Sequence, residues 1–455
     1  MHFLSRYRWI ISCLLLLPSL ITTAVMADEV VMSPVVANST TNNVPTAGPS
    51  RPKNIVFMIG DGMGPAYTTA YRYYNDNPET EEIEQTVFDR LLVGMASTYP
   101  ASVSGYVTDS AAAATALSTG FKSYNGAIAV DTEKRPLTTL MEKAKALGLS
   151  TGVAVTSQVN HATPAAFLAH NESRQNYIDI AQAYLSSDAD VILGGGQQYF
   201  TPTLLEQFNA KGYQHISEFS QLASVTGPKV LGLFADGQLP WVINDKQAHK
   251  LSHMTQKALD LLSHNKQGFV LLVEGSLIDW AGHNNDIATA MGEMNEFAAA
   301  VEVVEQFVRQ RKDTLMIVTA DHNTGGLSVG ARGKYEWHPD VLRKVQASPN
   351  VIATRAIAEE NWQPIIATLL GFTPSEAQYS QLQNARLQGD KPLTIALRNV
   401  IDIQSNTGWT SGGHTAMDVQ VFSAGPGARL FSGHQDNIDI ANKIFSLLPQ
   451  SVQTP

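Results

Sequence analysis

The chain has 455 residues, of which 44% are apolar and 16% charged, and its formal net charge is −10. This composition allows a sizeable hydrophobic core and excludes a chain that is disordered over most of its length. The acidic balance argues against nonspecific nucleic-acid binding, so no nucleic-acid recognition is expected. If the ligand is itself an anion, a local positive charge must overcome the negative charge of the whole molecule.

The first residues have the features of a cleavable signal peptide. Arg6 and Arg8 precede a long apolar stretch, and small side chains suit cleavage after Ala27. We therefore predict a signal peptide over 1–27, a periplasmic or secreted protein, and no membrane span after cleavage. An uncleaved anchor is the alternative, but the stretch barely reaches the roughly 20 residues that a span needs, and Pro18 interrupts it.

The segment that follows predicts little structure of its own. Residues 28–53 are rich in Ser, Thr, Asn, Val and Pro, which is typical of a flexible N-terminal segment. The single cysteine, Cys13, lies inside the predicted signal peptide. The mature chain would then contain no disulfide and no reactive thiol.

From Asn54 onward, short apolar runs alternate with helical patterns. The predicted strands are 55–59, 151–156, 190–193, 269–273, 315–319 and 419–423, and the predicted helices are 110–118, 137–147, 175–186, 286–310 and 435–447. This alternation predicts an α/β fold with a central, mainly parallel sheet covered by helices on both faces. Segments 197–268 and 331–410 lack the alternation, and we interpret them as insertions that form a cap-like region.

Polar side chains of metal-ligand type follow most of the predicted strands. They are Asp61; His161 and Thr163; Glu274, Asp279 and His283; Asp321 and His322; and, just before the last strand, His414. Each has an ordinary alternative, such as a turn residue for an aspartate between glycines or a solvated pair for Asp-x-x-x-His. Ligands of open parallel sheets gather at the carboxyl ends of the strands. The repeated occurrence at strand ends therefore favours a metal site.

The motif "NIVFMIGDGMGP" around Asp61 also has a second interpretation, a glycine loop that cradles a nucleotide phosphate. The dinucleotide fingerprint requires G-x-G-x-x-G. Here position 65 is proline and Gly64 comes one residue early. The motif therefore fits a strand end that presents Asp61 better than it fits a nucleotide loop.

Ser110 is the candidate nucleophile. Asp109 and Ser110 precede an alanine-rich helix, where the ordinary alternative is an N-cap. The helix dipole contributes about 0.3–1 kcal/mol toward an anion, which cannot ionise a hydroxyl. A bound Zn²⁺ lowers the pKa of water from about 15.7 to about 7, and a bound serine hydroxyl should respond similarly. Arg174 is the candidate phosphate-binding residue, because its planar guanidinium group can pair with two phosphate oxygens. The ordinary alternative is that a lone arginine is a surface residue.

Taken together, these motifs resemble the alkaline phosphatases. The matching stretches are "FMIGDGMG", "VTDSAAAATALSTG", "HATPAAF" with "NESR", "VEGSLIDWAGHNND", "TADHNTGG" and "GGHTAMDVQVFSAGP", in the order of the family. The resemblance implies a catalytic domain over 54–455, a homodimer, two Zn²⁺ and one Mg²⁺. It also implies the ligands: Asp279, His283 and His414 for the first zinc; Asp61, Asp321, His322 and the reactive Ser110 for the second; Asp61, Thr163 and Glu274 for the magnesium.

The resemblance further implies the reaction. Phosphate monoesters would be hydrolysed to alcohol and inorganic phosphate through a phosphoserine on Ser110, with Arg174 holding the phosphate. His161, Trp280 and Asp109 would modulate the site from beside it. Some bacterial relatives have Asp and Lys where this chain has His161 and Trp280. Because an imidazole replaces a carboxylate poorly beside a hard cation, the identity of the third metal stays open.

Three other functions are compatible with parts of the pattern. A phosphodiesterase or phosphonate hydrolase of the same superfamily would use a similar metal site, but Arg174 suits a terminal dianionic phosphate. A sulfatase would need C/S-x-P-x-R, and the residues after Ser110 are alanines. An exported phosphate- or metal-binding protein without activity would not need the complete set of catalytic residues.

Overall fold

The computed structural model describes residues 51–449 except 246 and 248. The predicted signal peptide and the part of the predicted flexible segment before residue 51 lie outside these residues. No helix in the described part of the chain is both long and apolar enough to cross a membrane.

Most of the strands belong to one central sheet. The strands are β1 (Asn54–Gly60), β2 (Leu92–Ser97), β3 (Ser150–Gln158), β4 (Val191–Gly195), β5 (Gln214–Ile216), β6 (Val230–Leu233), β7 (Phe269–Gly275), β8 (Thr314–Ala320), β9 (Asn323–Thr324), β10 (Ser328–Val329), β11 (Thr407–Gly408), β12 (His414–Thr415), β13 (Val419–Ala424) and β14 (Gly433–Asp436). Within the described residues, ten of them form the sheet in the order β14-β2-β13-β8-β1-β7-β3-β4-β6-β5. Its central strands β1, β7 and β8 are buried along their whole length, which explains their continuous apolar sequences.

Helices surround this sheet. They are α1 (Pro65–Asn75), α2 (Val87–Leu91), α3 (Ser110–Thr119), α4 (Leu140–Ala146), α5 (Ala162–Leu168), α6 (Tyr177–Ser187), α7 (Pro202–Ala210), α8 (Lys250–Leu262), α9 (Leu277–His283), α10 (Ile287–Gln310), α11 (Pro339–Arg343), α12 (Pro349–Ala358), α13 (Trp362–Leu370), α14 (Glu376–Gln388), α15 (Asp390–Ser405) and α16 (Asn437–Leu447). Helices α4, α8 and α10 pack directly on central strands. The predicted α/β class is therefore confirmed, and so are the six predicted strands and five predicted helices, with shifts of a few residues at their ends.

The prediction for segment 197–268 was partly wrong. This segment supplies β5 and β6, which continue the main sheet in parallel beside β4. They have only three and four residues, too few for a clear periodic pattern. Segment 331–410 is mainly helical, with α12, α14 and α15 packed on one another.

The direction of β13 places His414. This strand runs antiparallel to both of its neighbours, β8 and β2, so its beginning lies where β8 ends. In addition, His414 pairs with Thr324 in the small β9–β12 ribbon. A residue that precedes β13 thus reaches the same edge of the sheet as the residues that follow the parallel strands.

Candidate active site

The candidate site lies at the carboxyl edge of the three central strands. Gly60, at the end of β1, is paired in parallel register with Gly275 of β7 and Ala320 of β8. Asp61 and Asp321 follow directly, and both are fully buried. Gly62 has φ of +70°, and a Cβ there would come within 2.9 Å of Asp279 Oδ1, so a glycine allows the turn to pass the site.

One cluster contains Asp279, His283 and His414. The Nε2 atom of His283 lies 3.4 Å from Asp279 Oδ2, and that of His414 lies 3.5 Å from Asp279 Oδ1. The two Nε2 atoms are 3.0 Å apart. In each ring, Nδ1 lies 2.8 Å from a backbone carbonyl oxygen. This is the carbonyl of Gly412 for His283 and that of Thr108 for His414. Such outer hydrogen bonds orient imidazoles for metal binding.

A second cluster is centred on His322. Its Nε2 lies 3.4 Å from Asp61 Oδ1, 3.2 Å from Asp321 Oδ2 and 3.2 Å from Ser110 Oγ. The other oxygen of Asp321 accepts from the backbone N–H groups of Gly62 and His322 at 3.0 and 2.9 Å. Asp321 Oδ2 is thereby held toward the centre of the cluster.

Ser110 is the first residue of α3, and its neighbour performs the capping. Asp109 is the N-cap, and its carboxylate accepts from the backbone N–H of Ala112 at 2.9 Å. The hydroxyl of Ser110 is therefore not used as a cap. It lies at the positive end of the helix and faces His322.

A third group lies on the other side of Asp61. Ligand atoms of Asp61, His161 and Glu274 lie within 4.8 Å of one another. Thr163 is buried beside them, close enough to Glu274 to act on the pKa of its carboxyl. The structure thus brings His161 into this group as a candidate ligand, in agreement with its residue type, whereas the family resemblance implied only a modulating role.

Two observations show that these groups fit metal ions. Tetrahedral zinc with ligands at about 2.0–2.1 Å requires ligand atoms about 3.3 Å apart, close to the 3.0–3.5 Å separations in the first two clusters. Among the described residues, several buried atoms also have no hydrogen-bond partner: both oxygens of Asp61, Glu274 Oε1, Asp321 Oδ2, Thr163 Oγ1 and His161 Nδ1. Burying such oxygens without a partner is costly, and cations would remove this cost.

The electrostatics of the site also favour cations. Burial, reinforced by Asp321, Asp279 and Glu274, raises the pKa of Asp61 well above its usual range. Burial also raises the pKa of Glu274 to about 8 and that of Asp321 to about 6. It lowers the pKa of His322 far below its usual value, so this imidazole stays neutral and able to donate a lone pair. Four crowded carboxylates can ionise together only beside positive charge.

Arg174 supplies the positive charge that an anionic ligand needs. Its Nη1 donates to Asp109 Oδ2 at 3.0 Å, and its Nη2 lies 3.1 Å from His161 Nε2. Burial and the charge of Arg174 lower the pKa of His161 to about 3, so His161 is neutral. Trp280 meets the His161 ring edge-on at 5.6 Å. All residues selected from the sequence therefore lie in one connected site.

The sequence did not indicate Thr324. Its hydroxyl donates to Asp279 Oδ1 at 2.5 Å and lies 3.2 Å from His322 Nδ1. It thus connects one ligand of each of the first two clusters. Its place two residues after His322 was the available signal, but a threonine in a glycine-rich turn has no distinctive pattern.

Comparisons with known proteins agree with this geometry. The family model described as alkaline phosphatase matches residues 52–449. Alkaline phosphatase 3 of Bacillus subtilis is 41% identical over 88% of this chain and 90% of its own length. The crystal structure of a cold-active alkaline phosphatase from a psychrophilic Shewanella is 68% identical, with a TM-score of 0.87 over 87% of this chain and all of that one. A histidine-to-aspartate variant of the alkaline phosphatase from the Antarctic bacterium TAB5 is 27% identical, with a TM-score of 0.66 over 89% of this chain and all of that one.

The fold, the clustered metal-ligand side chains and these similarities define a metal-dependent hydrolase of phosphoric monoesters. Every residue selected above lies inside the matched region. The chain belongs to the alkaline phosphatase family.

Proposed function

We propose that this enzyme hydrolyses phosphate monoesters through a phosphoserine on Ser110, at a site that holds two Zn²⁺ and one Mg²⁺. The proposed ligands are those named from the sequence: Asp279, His283 and His414; Asp61, Asp321, His322 and Ser110; and Asp61, Thr163 and Glu274. The separations of these side chains, the burial of all of them except His283 and His414, and the unpartnered oxygens of Asp61, Asp321, Glu274 and Thr163 support this assignment. When bound, the metal ions would lower the pKa of coordinated hydroxyls and offset charge on the phosphoryl oxygens.

Ser110 and Arg174 carry the protein's part of the chemistry. Ser110 gives up its hydroxyl proton to water, and its Oγ forms a bond to phosphorus while the bond to the leaving alkoxide breaks; the alkoxide takes a proton from water and leaves as the alcohol. The N-terminus of α3 stabilises the phosphoryl oxygens close to Ser110. Arg174, already oriented by Asp109, pairs with two phosphoryl oxygens. A water molecule then attacks the phosphoserine, phosphate departs, and Ser110 regains its proton.

The observation that carries this proposal is the 3.2 Å approach of Ser110 Oγ to His322 Nε2 among buried ligand side chains. The test is the metal content of the purified protein together with hydrolysis of one monoester and its matching diester. We expect about two zinc ions per chain and strong preference for the monoester. A higher rate on the diester would favour the phosphodiesterase alternative, and metal content without turnover would favour a binding protein.

The third site has its own support. The TAB5 variant with aspartate in place of a histidine is described with Mg bound in its M3 site. Here His161 lies beside Asp61 and Glu274, where an aspartate would add a hard oxygen ligand. We infer that His161 weakens Mg²⁺ binding at this position.

Export and assembly complete the proposal. A periplasmic or secreted location is supported by the signal-peptide features of 1–27, and N-terminal sequencing of the mature protein tests it; a start at Met1 would contradict it. The homodimer is supported by the family resemblance. Sedimentation equilibrium tests the homodimer, and a mass equal to one chain would contradict it.

A further inference from the structure

A cavity of about 500 Å³ lies beside the turn that follows His283. It is formed by that turn, by α15 and by the strand residues before His414. None of the proposed metal ligands lines it. Its polar and aromatic lining includes Asn284, Asn285, Arg332, Arg398, Asp402 and Trp409.

Arg398 is the residue that points to a ligand. Its guanidinium is half-buried, and its Nε is fully buried with no hydrogen-bond partner among the described residues. In the same part of the chain, no carboxylate lies within 4.0 Å of it. Arginine keeps its charge at any physiological pH, so a half-buried guanidinium without a partner is unfavourable.

Two acids act on the charge of Arg398, and both accept hydrogen bonds from other residues. One of them, Asp402, lies in the cavity wall. Asp286 caps α10, accepting from both the backbone N–H and the hydroxyl of Thr289. Asp402 accepts from the indole N–H of Trp409 at 3.2 Å. Burial lowers the pKa of Arg398. The charges of Asp286 and Asp402 oppose this shift and favour the charged guanidinium. Neither satisfies its donors.

Arg332 supports the same conclusion. It has a left-handed backbone, with φ of +56°, which is uncommon for a residue with a side chain. Its Nη1 donates to the carbonyls of Asp402 and Thr407 at 3.2 and 3.0 Å, which fixes the guanidinium on the cavity wall. Two guanidinium groups and asparagine side chains around one cavity form a donor-rich site of the kind that binds carboxylate or phosphate-like oxygens.

We propose that this cavity binds a small oxyanion, inorganic or a carboxylate, with Arg398 as its principal partner. An occupant would touch residues that support the first metal cluster. The side-chain amide of Asn285 faces the carbonyls of Gly282 and Ser411, and the ring of Trp409 packs on Gly325. The proposal does not depend on the phosphoserine reaction.

Equilibrium dialysis of labelled sulfate against the metal-loaded mature protein tests it. Arg398→Met should lose one bound sulfate per chain or bind it at least about tenfold more weakly, since hydrogen bonds to a charged group are removed. Arg309→Met is the matched control, because Arg309 is exposed on α10 and pairs with Glu305. Equal sulfate binding by Arg398→Met and the unmodified protein would overturn the proposal.

Two further measurements separate the alternatives. Arg174→Ala removes sulfate held at the active site; if it removed all sulfate binding, the cavity would be excluded. The second measurement uses crystals of the unmodified protein soaked in selenate. It therefore gives a result even if Arg398→Met does not fold. Anomalous density next to Arg398 is the expected result, and water alone there would overturn it. If acetate displaces the sulfate, the cavity is a carboxylate site. If acetate does not displace it, the cavity is a site for inorganic oxyanions.

Discussion

Ser110 differs from an ordinary helix-terminal serine because its hydroxyl is not used to cap α3. Asp109 has that role, and Ser110 Oγ faces His322 Nε2 at 3.2 Å. The sequence suggested both possibilities for this serine. The division of roles depends on a contact between residues 212 positions apart, which local sequence cannot specify.

We predict that Ser110→Ala abolishes the covalent phosphate trapped at acid pH and lowers kcat by about 10³ or more, since a covalent route loses its nucleophile. Metal content should change little, because the Asp and His ligands remain. Acid quench with labelled monoester and metal analysis measure both. Ser118→Ala, on the same helix, is the control. A phosphoenzyme in Ser110→Ala would show that another residue is the nucleophile.

His161 provides the second residue-scale prediction. His161→Asp should raise Mg²⁺ affinity at least about tenfold, because a carboxylate oxygen suits this hard cation better than an imidazole does. Calorimetric titration with Mg²⁺ measures it. His161→Asn is the control, since it gives a similar small side chain without the charge. Equal Mg²⁺ affinities of the aspartate variant and the unmodified protein would exclude His161 from the third site.

At the scale of elements, long strands and helices were predictable and short ones were not. β1, β7 and β8 are buried apolar runs of seven residues, whereas β5 has three residues and no marked pattern. The most informative miss was the antiparallel direction of β13. The sequence placed His414 before its strand, whereas the other candidates follow theirs, and it did not explain how His414 reaches the same edge. Pairing direction is set by distant partners and not by the apolar run itself.

Helix α10 holds its neighbours through two buried acids. Glu293 accepts from the backbone N–H of Val242 at 2.9 Å, and Glu296 accepts from those of His249 and Leu251, at the start of α8. Burial raises the pKa of Glu293 to about 8, and it raises that of Glu296 as well. The two acids therefore make the packing of α10 against Val242 and against the start of α8 depend on pH.

We predict that Glu293→Gln flattens the pH dependence of stability. The pKa of Glu293 is higher in the folded state, so its contribution is complete below about pH 4.3 and is lost as the pH rises through about 8. The shift corresponds to an upper limit of about 5 kcal/mol. Urea unfolding from pH 5 to pH 9 measures the slope for each variant. Glu302→Gln, an exposed change on the same helix, is the control and should keep the original slope of stability against pH. The same slope in Glu293→Gln would contradict this interpretation.

At the scale of the whole molecule, the proposed metal site connects distant parts of the chain. Proposed ligands come from position 61 to position 414, so the ions would join β1, β7, β8 and the approach to β13. The residue types of this site could be read from the sequence, because each motif carries its own ligands. Thr324 could not, since it acts by touching two ligands that only the folded chain brings together.

Metal removal should therefore affect both activity and the stability of the entire fold. We predict that EDTA abolishes monoester hydrolysis, that Zn²⁺ restores it, and that the unfolding midpoint falls by several degrees. An ion at 100 times its dissociation constant stabilises the fold by about 2.7 kcal/mol. Activity that survives complete demetallation would contradict the metal-dependent reaction.

The loss of stability should also depend on pH in a defined direction. In the metal-free protein, the pKa values of Asp321, about 6, and Glu274, about 8, exceed those of the unfolded chain. Their stabilising contribution is present at acid pH and disappears as the pH rises from about 4 through 8, because ionised carboxylates then repel one another. Bound cations at the proposed site would keep these groups ionised throughout this range. Calorimetric unfolding at pH 6 and pH 9 should thus give a larger gap between loaded and stripped protein at pH 9, and an equal gap at both would show that these carboxylates do not share a metal site.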